Sequence, residues 1–404
     1  MLDIRLGGEI IAHLQEARGG RLLCNYTDEV VESSPGGVPL LSCSLLVSAQ
    51  QLNASGWARG LLPEGDHLAR LAAAADVAAS DTYGLLKRYG RDVAGAFEIV
   101  AGDPPPRTPS FEVYTDESMA EELAGVDDSP LGIYDDSQLS IAGLQDKLLV
   151  VRTNAGEWAR PRYGYPSTHI LKLDNRTHPG LVYAEAACLE LARRIDLTNF
   201  ESWVQRIGDE DVLVVERFDR EEASHEVQRL HQEDLLQALG IPPEHRRGRA
   251  KYQHPGTHGP PSWWHLADLL DSYSVDRDRE LGRLFQAMVF NLVIGNADAH
   301  AKNLALLLDD GYVTLSPLYD IVPTQLWPRL RRTLALTIGD KDNPDAIVID
   351  DLVMEAARWS LGEERTRQLA NATLERIKEE ARAIEHAELS ELVQGNIDAL
   401  IRRS

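Results

Sequence analysis

The sequence predicts an α+β protein in which a strand-rich half is followed along the chain by a helical half. Between residues 138 and 218, short apolar runs rich in β-branched residues are separated by glycine and polar residues, which is typical of strands. From about residue 231 onward, apolar residues recur at three- and four-residue spacing, which is typical of amphipathic helices. This segregation of strands and helices favours an α+β fold with two lobes.

Residues 1–105 are predicted to form a smaller α/β subdomain ahead of the two lobes. Its expected strands are 2–5, 20–26 and 41–47, and its expected helices are 66–76 and 83–89. Residues 103–109 contain four prolines and are expected to form a stiff linker. We therefore place the first domain boundary in this stretch.

The remaining elements are assigned to a strand-rich lobe over 111–218 and a helical lobe over 219–404. The expected strands of the first lobe are 139–142, 147–152, 168–173 and 212–218, and its expected helix is 181–194. The expected helices of the second lobe are 231–239, 262–273, 277–294, 350–358 and 362–386. No apolar run reaches the roughly 18 residues that a membrane span requires.

The composition narrows the functional classes. The chain has 404 residues, three cysteines and a formal net charge of −23. Three scattered cysteines suit neither a disulfide framework nor a zinc site, so we expect a reducing cytoplasm. The negative charge argues against autonomous nucleic-acid binding, because DNA phosphates would repel the average surface. Two basic stretches, 245–251 and 329–332, are either solvated loops or local binding patches.

The most informative stretch is 295–303, which reads Gly-Asn-Ala-Asp-Ala-His-Ala-Lys-Asn and follows an apolar, helix-like run. Asp298 and Asn303 are separated by four residues, and Asp320 comes 17 residues after Asn303. This is the spacing of a protein-kinase catalytic loop and its downstream metal ligand. There the first Asp accepts the substrate hydroxyl proton, and the other two residues hold Mg²⁺ at the ATP phosphates. A helix cap followed by a solvated turn would explain only the first two residues of this stretch.

Two further polar residues have both a functional and a structural interpretation. Lys172 lies in the apolar strand 168–173, where burying a lysine is costly unless it meets an anion. It either binds the ATP phosphates, as the strand lysine of a kinase does, or projects from an exposed edge strand. Asp320 either chelates Mg²⁺ together with Asn303 or lies in an ordinary turn.

Two segments of the strand-rich lobe are candidates for a nucleotide site. Residues 140–147 join two expected strands, and the backbone N–H groups of such a loop can cradle phosphates. Because the loop has one glycine, an ordinary hairpin is the simpler interpretation when it is taken alone. Residues 216–219 end a strand at the junction of the two halves, where a kinase hinge meets adenine through backbone groups. A strand end with charged flanks explains them equally well.

Together these segments resemble the HipA family of bacterial toxin serine/threonine kinases over nearly the whole chain. Six motifs carry the resemblance, in the order 61–64, 90–96, 140–147, 215–220, 232–234 and 298–303. The first two are similar to the family's N-terminal domain, the third to its phosphate loop, the fourth to its hinge and the last to its catalytic loop. The resemblance implies a bilobal, protein-kinase-like fold with an additional N-terminal subdomain.

The resemblance also implies a role for each candidate residue. Asp298 is the catalytic base or orients the substrate hydroxyl, and Asn303 and Asp320 bind Mg²⁺. Ser140 matches the serine that such kinases autophosphorylate, and roughly two added negative charges there would repel the ATP phosphates. The residues expected to contact ATP are Ala142, Gly143, Leu144, Gln145, Asp146, Lys147, Lys172, Glu216, Arg217, Phe218, His300, Lys302 and Tyr319.

The family further implies a cytoplasmic toxin–antitoxin setting with ATP and Mg²⁺ as cofactors. The expected partner is a small, dimeric helix-turn-helix antitoxin of the HipB type that binds operator DNA. The acidic kinase would then reach DNA only through this partner. In some family members the phosphorylated protein is glutamyl-tRNA synthetase.

Two other activities stay open from the sequence. The chain is alternatively a pseudokinase that binds nucleotide and scaffolds a repressor complex, or a kinase for a small molecule or lipid. The presence of Lys172, Asp298, Asn303 and Asp320 favours the protein kinase. One departure from the family follows Lys251, where an Asp-Gly-Gly-Pro stretch is replaced by a longer segment without that Asp, which alters the surface expected to contact the protein substrate.

Overall fold

The computed structural model describes residues 1–102, 108–126, 147–174, 177–223, 226–244, 250–254 and 259–404. The chain divides into two compact units. The first comprises Met1–Asp174, Trp203–His245 and Leu308–Gly311, and the second Asn175–Ser202, Arg246–Leu307 and Tyr312–Ser404. Separate sheets and helical layers confirm the predicted α+β class, whereas the predicted division into three domains stays a prediction. No helix in the described ranges is long and apolar enough to cross a membrane.

The first unit begins with a five-stranded antiparallel sheet. Its strands are β1 (Leu2–Leu6), β2 (Glu9–Glu16), β3 (Leu22–Tyr26), β4 (Leu52–Asn53) and β5 (Phe97–Val100), in the order β4-β3-β2-β1-β5. Its helices are α1 (Asp28–Ser33), α2 (Ser55–Gly60), α3 (Gly65–Ala74) and α4 (Thr82–Tyr89). Alternate residues of β1 and β3 are buried, so one face of the sheet forms a core with Trp57, Tyr89 and Phe97.

The predicted strand at 41–47 is wrong. Its alternating buried residues come from a loop in which side chains and nearby loop residues, rather than a neighbouring strand, satisfy backbone polar groups. Tyr26 Oη donates to the carbonyl of Leu45 at 2.5 Å. The carboxylate of Glu233 accepts from the N–H of Cys43 at 2.8 Å. A buried loop needs such partners, because an unpaired buried backbone group is costly.

A second sheet of six strands completes most of the first unit. Its strands are β6 (Ser110–Val113), β7 (Lys147–Arg152), β8 (Trp158–Arg162), β9 (His169–Leu173), β10 (Ser202–Ile207) and β11 (Glu210–Glu216), in the order β10-β11-β9-β7-β8-β6. Helix α5 (Asp116–Ala124) packs Met119 and Leu123 against the apolar residues of β7, β9 and β11. Helix α6 (Leu181–Arg194) lies between β9 and β10 in the sequence but belongs to the second unit.

The end of the first unit corrects a second prediction. A hairpin of β12 (Arg220–Ala223) and β13 (Glu226–Arg229) is followed by β14 (His231–Asp234) and the one-turn helix α7 (Leu235–Ala238). The helix predicted over 231–239 is therefore wrong in its first half. Asp234 caps α7 by accepting from the N–H of Gln237 at 2.9 Å, so the helix begins only after this residue.

The second unit is mainly helical. Its helices after α6 are α8 (Trp263–Tyr273), α9 (Arg277–Val293), α10 (Ile349–Ala357), α11 (Glu363–Glu380) and α12 (Ala387–Arg403). It also contains β16 (Tyr312–Leu315) and the first three residues of β15 (Ala305–Asp309), the strand that precedes β16. Helix α9 is buried on most of its faces from Leu281 onward and packs against α8, α11 and α12. A helix that is apolar around most of its circumference belongs in a core. The stretch 295–303 follows the C-terminal end of α9 in the chain.

Candidate active site

The Asp298 loop (residues 295–303) begins where α9 ends. Gly295 has a φ of +74°, a left-handed conformation that favours glycine. A Cβ atom at this position would lie 2.8 Å from Gln325 Oε1 and 2.9 Å from Gln325 Cβ. Glycine is therefore required both by the backbone conformation and by the close approach of Gln325.

A chain of neutral amide groups connects α9 to the Asp298 loop. Asn291 Nδ2 donates to the carbonyl of Ala287 at 2.9 Å within the helix. Asn296 Nδ2 donates to Asn291 Oδ1 at 2.8 Å, and Asn296 Oδ1 accepts from the N–H of Asp298 at 3.0 Å. Both asparagines are buried. Sequence reasoning missed this role of Asn291, although an asparagine inside an apolar helix was a signal of it.

Neighbouring segments hold the rest of the Asp298 loop. Thr324 Oγ1 accepts from the N–H of Ala297 at 2.9 Å. The N–H of Ala335 donates to the carbonyl of Ala297 at 2.9 Å, and the N–H of Ala301 donates to the carbonyl of Lys251 at 3.1 Å. Three separate segments, near residues 251, 324 and 335, thus fix the loop from different sides.

The carboxylate of Asp298 is half-buried and surrounded by charged and polar groups. Burial raises the pKa of Asp298 above its ordinary value, and the negative charge of Asp320 acts in the same direction. The charges of Lys251 and Arg331 and a hydrogen bond donated by the Tyr252 hydroxyl oppose this rise. A carboxylate with a raised pKa in a fixed position is chemically suited to accept a proton.

Asn303 and Asp320 supply oxygen atoms next to Asp298. Asn303 Nδ2 donates to the carbonyl of Asp298 at 3.4 Å, and Asp320 is close enough to affect the pKa values of Asp298 and His300. Asp320 has a φ of +54°, which is uncommon for a residue other than glycine and occurs preferentially at functional sites. No group of three or more His, Cys, Asp and Glu residues suited to a metal exists within the described ranges. Two oxygen ligands nevertheless fit Mg²⁺, which takes its other ligands from phosphates and water.

The remaining candidate residues of the second unit are close to the same loop. Burial lowers the pKa of His300 to about 3, and the charges of Lys251 and Lys302 act in the same direction, so the imidazole is neutral near pH 7. His300 Nδ1 has no hydrogen-bond partner in the described part of the chain. Tyr319 Oη donates to the carbonyl of Lys302 at 2.8 Å. The structure therefore brings together all the candidate residues from 298 to 320.

Lys172 and Lys147 form a second candidate group, in the first unit. They are directly opposite each other in the antiparallel pair β7–β9, so both side chains are on one face. Lys172 is only 8% exposed and β9 lies inside the sheet, so the exposed-edge interpretation of this residue is wrong. Two lysines on one face carry the positive charge that a polyphosphate requires.

The side chain of Arg217 is fully engaged by neighbouring protein groups. Its guanidinium makes two hydrogen bonds with the Asp219 carboxylate, at 2.9 and 2.7 Å, and its backbone N–H donates to the carbonyl of Thr168 at 2.9 Å. The candidate hinge residues Glu216 and Phe218 flank it, at and just after the end of β11. Any contact of Arg217 with a nucleotide would therefore involve its backbone.

Sequence reasoning missed a closed ring of buried polar groups in the first unit, which we call the Asp92 ring. Its members are Asp92, Ser167, Arg217, Asp219 and Arg220, each hydrogen-bonded to the next and the last to the first at 2.7–3.1 Å. All five are at most 9% exposed. The two motifs 90–96 and 215–220 are visible in the sequence, but nothing in their spacing indicates that they contact each other.

Ser140 and the loop residues Ala142, Gly143, Leu144, Gln145 and Asp146 lie outside the described residues. Lys147, the last residue of the predicted phosphate loop, is the first residue of β7.

Comparison with known proteins identifies the family. Residues 139–385 match the HipA-like C-terminal domain, and residues 2–100 match the HipA N-terminal domain. The chain is 33% identical to protein Y4mE of Sinorhizobium fredii over 354 residues, which cover 84% of this chain and 81% of the relative. It is 28% identical over 388 residues to the serine/threonine-protein kinase toxin HipA of Shewanella oneidensis, covering 92% and 86%.

A solved structure shows the same fold. It is the Shewanella oneidensis MR-1 HipA in a complex with HipB and its operator DNA. The TM-score is 0.80 at 27% sequence identity, and the match covers 100% of this chain and 96% of the other. The two family matches, the kinase relatives and this kinase-like fold agree with one another. The chain therefore belongs to the HipA family of toxin serine/threonine kinases.

Proposed function

We propose that this chain is an ATP-dependent serine/threonine protein kinase that acts as the toxin of a toxin–antitoxin module. The observation that carries the proposal is the Asp298 loop. It holds a half-buried carboxylate next to Asn303 and Asp320, and kinase catalysis needs a proton acceptor beside two metal ligands. The membership of the HipA family supports the same reaction.

The proposed reaction is an in-line displacement. The hydroxyl oxygen of the acceptor residue forms a bond to the γ-phosphorus of ATP, while the bond from this phosphorus to the β,γ-bridging oxygen breaks and ADP leaves. The hydroxyl proton passes to the carboxylate of Asp298 and then to water. The Tyr252 hydroxyl, which donates to this carboxylate, fixes its orientation. Most of the rate enhancement comes from positioning and electrostatic stabilisation.

Mg²⁺ at this site would neutralise charge on the phosphates of bound ATP. We propose that the side-chain oxygens of Asn303 and Asp320 hold it, since both are oxygen donors of the kind that this ion requires. His300, Lys302 and Tyr319 lie beside the nucleotide in this proposal.

The first unit would bind the nucleotide through three segments. Lys172 and Lys147, which are directly opposite each other in the sheet, contact the phosphates. The backbone of 216–218 contacts adenine. Residues 142–146, the predicted phosphate loop, cover the phosphates with their N–H groups.

The test of the function is phosphate transfer from γ-labelled ATP by the wild type and by Asp298→Asn. We expect the substitution to reduce transfer by about 10²–10⁴-fold, because the amide cannot accept the proton. ATP binding, measured separately, should persist. The matched control is Asp309→Asn, which removes an exposed carboxylate at the end of β15 and should transfer phosphate at the wild-type rate.

One outcome would contradict the assignment of the base, and another would contradict the kinase function. Transfer by Asp298→Asn at the wild-type rate would show that Asp298 is not the base. A wild-type chain that binds ATP without transferring phosphate would be a pseudokinase that serves as a scaffold.

We propose Ser140 as the site of autophosphorylation. A phosphate there adds about two negative charges to the predicted phosphate loop and would repel bound ATP. Ser140→Ala should abolish self-labelling by ATP while leaving transfer to an external protein. A phosphopeptide mapped elsewhere in the chain, with Ser140 unmodified, would contradict this assignment.

A HipB-type helix-turn-helix antitoxin is the proposed partner, with DNA bound only through it. The solved HipA of Shewanella oneidensis is in such a complex, and a net charge of −23 opposes direct DNA binding by this chain. In a gel-shift experiment the chain should retard operator DNA only when the antitoxin is present. Retardation by the chain alone would contradict the proposal.

The proposed substrate is a protein serine or threonine, with glutamyl-tRNA synthetase as the first candidate. Phosphosite mapping by mass spectrometry in a lysate treated with the kinase and ATP would identify it. Label that appears in the lipid or small-molecule fraction, and not on protein, would support a different class of kinase.

A further inference from the structure

A cluster of exposed arginines lies beside the Asp298 loop on a chain whose net charge is strongly negative. It consists of Arg329, Arg331 and Arg332, which we call the 329–332 cluster. The cluster begins nine residues after Asp320. Three exposed positive charges within four residues produce a local field opposite in sign to that of the average surface.

Backbone hydrogen bonds fix the position of this cluster relative to the Asp298 loop. Just after the cluster, the N–H of Ala335 donates to the carbonyl of Ala297 at 2.9 Å, and the carbonyl of Ala335 accepts from the N–H of Gln253 at 2.9 Å. Gln253 Oε1 in turn accepts from the N–H of Thr337 at 2.9 Å. The stretch 335–337 is therefore hydrogen-bonded to both the Asp298 loop and the segment 250–254, and the cluster ends three residues before it.

Arg331 is linked to Asp298 through Tyr252. Its guanidinium lies 4.5 Å from the centroid of the Tyr252 ring, a cation–π distance. The Tyr252 hydroxyl donates to the Asp298 carboxylate, and its ring contacts His300 edge-to-face at 5.6 Å between centroids. One aromatic side chain thus spans the distance from the proposed base to the arginine cluster.

No carboxylate of the described residues forms an ion pair with the cluster, although the charge of Arg331 acts on Asp298. Arg331 donates to the carbonyl and hydroxyl of Thr333, at 2.7 and 3.1 Å, and not to an acid. Arg329 and Arg332 form no ion pair with another described residue. Several other surface arginines are paired with carboxylates, as Arg358 is with Asp340 at 2.8 Å. The cluster is therefore available to an external anion.

We propose that the 329–332 cluster and Tyr252 form the acceptor-recognition surface of this kinase, which selects serines or threonines with acidic residues nearby in the protein substrate. The inference rests on the proposed kinase function, since it names the substrate class of the same site. Charge complementarity between the cluster and acidic residues supplies the recognition. A nucleic acid fits less well, because the face of Tyr252 that would stack on a base is covered by Arg331 and the overall charge is repulsive.

The experiment measures the binding of two fluorescent peptides to the full chain by anisotropy. Both contain one central serine and are identical except that its neighbours are glutamates in one and lysines in the other. We expect the wild type to bind the glutamate peptide on the order of tenfold more tightly at low salt, and less so at high salt. A single-stranded RNA of the same net charge as the glutamate peptide forms a third arm.

The decisive variant is Arg331→Glu, which should reduce the preference for the glutamate peptide by at least about fivefold. Arg18→Glu is the matched control, because it changes the net charge equally at an exposed residue of the first unit and should leave the preference unchanged. If Arg331→Glu fails to fold, the double variant Arg329→Glu/Arg332→Glu applies the same test at two exposed positions.

Three results would overturn the inference: equal binding of both peptides by the wild type, an unchanged preference in the cluster variants, or tighter binding of the RNA than of the glutamate peptide. Transfer of phosphate from labelled ATP, measured on the same samples, separates this inference from the kinase function. If the chain transfers phosphate but does not prefer the glutamate peptide, only the proposed recognition surface is contradicted. If the chain prefers the glutamate peptide but does not transfer phosphate, the kinase function is contradicted and the cluster is a surface that binds acidic peptides.

Discussion

Gly295 determines, at the scale of single residues, how the buried helix α9 passes into the Asp298 loop. Its left-handed backbone places the carbonyl of Gly295 where the N–H of Gln325 and the hydroxyl of Thr324 both donate to it, at 3.1 Å each. Every residue other than glycine is strained in this conformation, and here a side chain would also meet Gln325.

The substitution Gly295→Ala should therefore lower the free energy of unfolding by about 2 kcal/mol, from backbone strain together with the contact to Gln325. Denaturant titration followed by circular dichroism would measure it. Gly395→Ala is the matched control, because Gly395 is exposed in α12 with no atom within 4 Å of the added methyl group. It should raise the free energy of unfolding by up to about 1 kcal/mol. Equal effects of the two substitutions would refute this interpretation of Gly295.

The site could be predicted from the sequence to the extent that chemistry fixes the spacing of residues. Asp298 and Asn303 had to be five positions apart to reach one substrate, and that regularity is visible without a structure. The role of Tyr252 was not predictable. Tyr252 reaches Asp298 across 46 positions of sequence, and such a contact depends on the folded backbone rather than on a local pattern.

At the scale of secondary-structure elements, Glu233 of β14 is hydrogen-bonded to the loop 41–47. The carboxylate is completely buried, accepts from the hydroxyl of Ser42 at 2.5 Å and accepts from the N–H of Cys43 at 2.8 Å. Burial raises the pKa of Glu233 from 4.5 to about 7, and these two hydrogen bonds only partly oppose the rise. The carboxyl group of Glu233 thus makes hydrogen bonds with the loop that the backbone of a neighbouring strand would otherwise make.

The raised pKa predicts a pH dependence of stability. The folded chain holds the Glu233 proton more tightly than the unfolded chain, so the contribution of this group is complete below about pH 4.5 and decreases as the pH rises through about 7. The loss amounts to about 3 kcal/mol. Glu233→Gln should remove it, so the wild type should lose stability relative to this variant between pH 4.5 and 8 in denaturant titrations. A parallel pH dependence of the two proteins would contradict the prediction.

The Asp92 ring connects the motif 90–96 to the corner between β11 and β12. Gly95, also in that motif, donates its N–H to Asp219 at 3.1 Å, and its carbonyl accepts from Arg220 at 3.3 Å. The arginines beside Asp219 hold the pKa of this carboxyl well below its usual range despite its burial. Its contribution to stability is therefore present at neutral pH and lost only in acid.

Removal of one member of this ring should be costly. Asp92→Ala leaves the two buried arginines of the ring with a single carboxylate, Asp219, and should lower the free energy of unfolding by about 3–5 kcal/mol. Asp350→Ala is the matched control, because its ion pair with Arg367 has the same 2.8 Å distance but an Asp350 side chain that is 74% exposed. There the loss should be below about 1 kcal/mol. Similar losses from both variants would show that burial of the ring contributes little.

Elements with a clear period were predicted to within a residue or two, as for α8 and α9, although the helix predicted at 362–386 ends at Glu380. The failures at 41–47 and 231–234 have one cause. These two segments satisfy each other through Glu233, Cys43 and a bond between His231 Nε2 and the carbonyl of Leu41 at 2.9 Å. A pattern of buried residues reports which side chains are covered, but not which groups satisfy the backbone.

The net charge of −23 acts at the scale of the whole molecule. Self-repulsion of this charge destabilises the folded chain, and salt screens it. An increase from about 0.01 to about 0.15 M NaCl, which shortens the Debye length from roughly 30 to 8 Å, should therefore raise the melting temperature at pH 7.5. The control is the same comparison near the isoelectric point of about 4.9, where the salt effect should disappear. An equal rise at both pH values would contradict this explanation.

The fold class was predictable at this scale because strands precede helices along the chain. The composition of the two compact units was not. Residues 203–245 rejoin the first unit after residues 175–202 have contributed to the second. Such a return depends on contacts between distant segments, and no local composition or linker marks it.

The amide chain from Asn291 through Asn296 to the N–H of Asp298 has a consequence for the working range of the protein. None of these groups ionises in the physiological range, and Thr324, which also holds the loop, is equally neutral. The geometry around the proposed base should therefore tolerate changes of acidity and salt that alter the protonation of Glu233 or the self-repulsion of the surface. In a cell whose internal pH drifts under stress, such a site would keep its shape while other parts of the molecule respond.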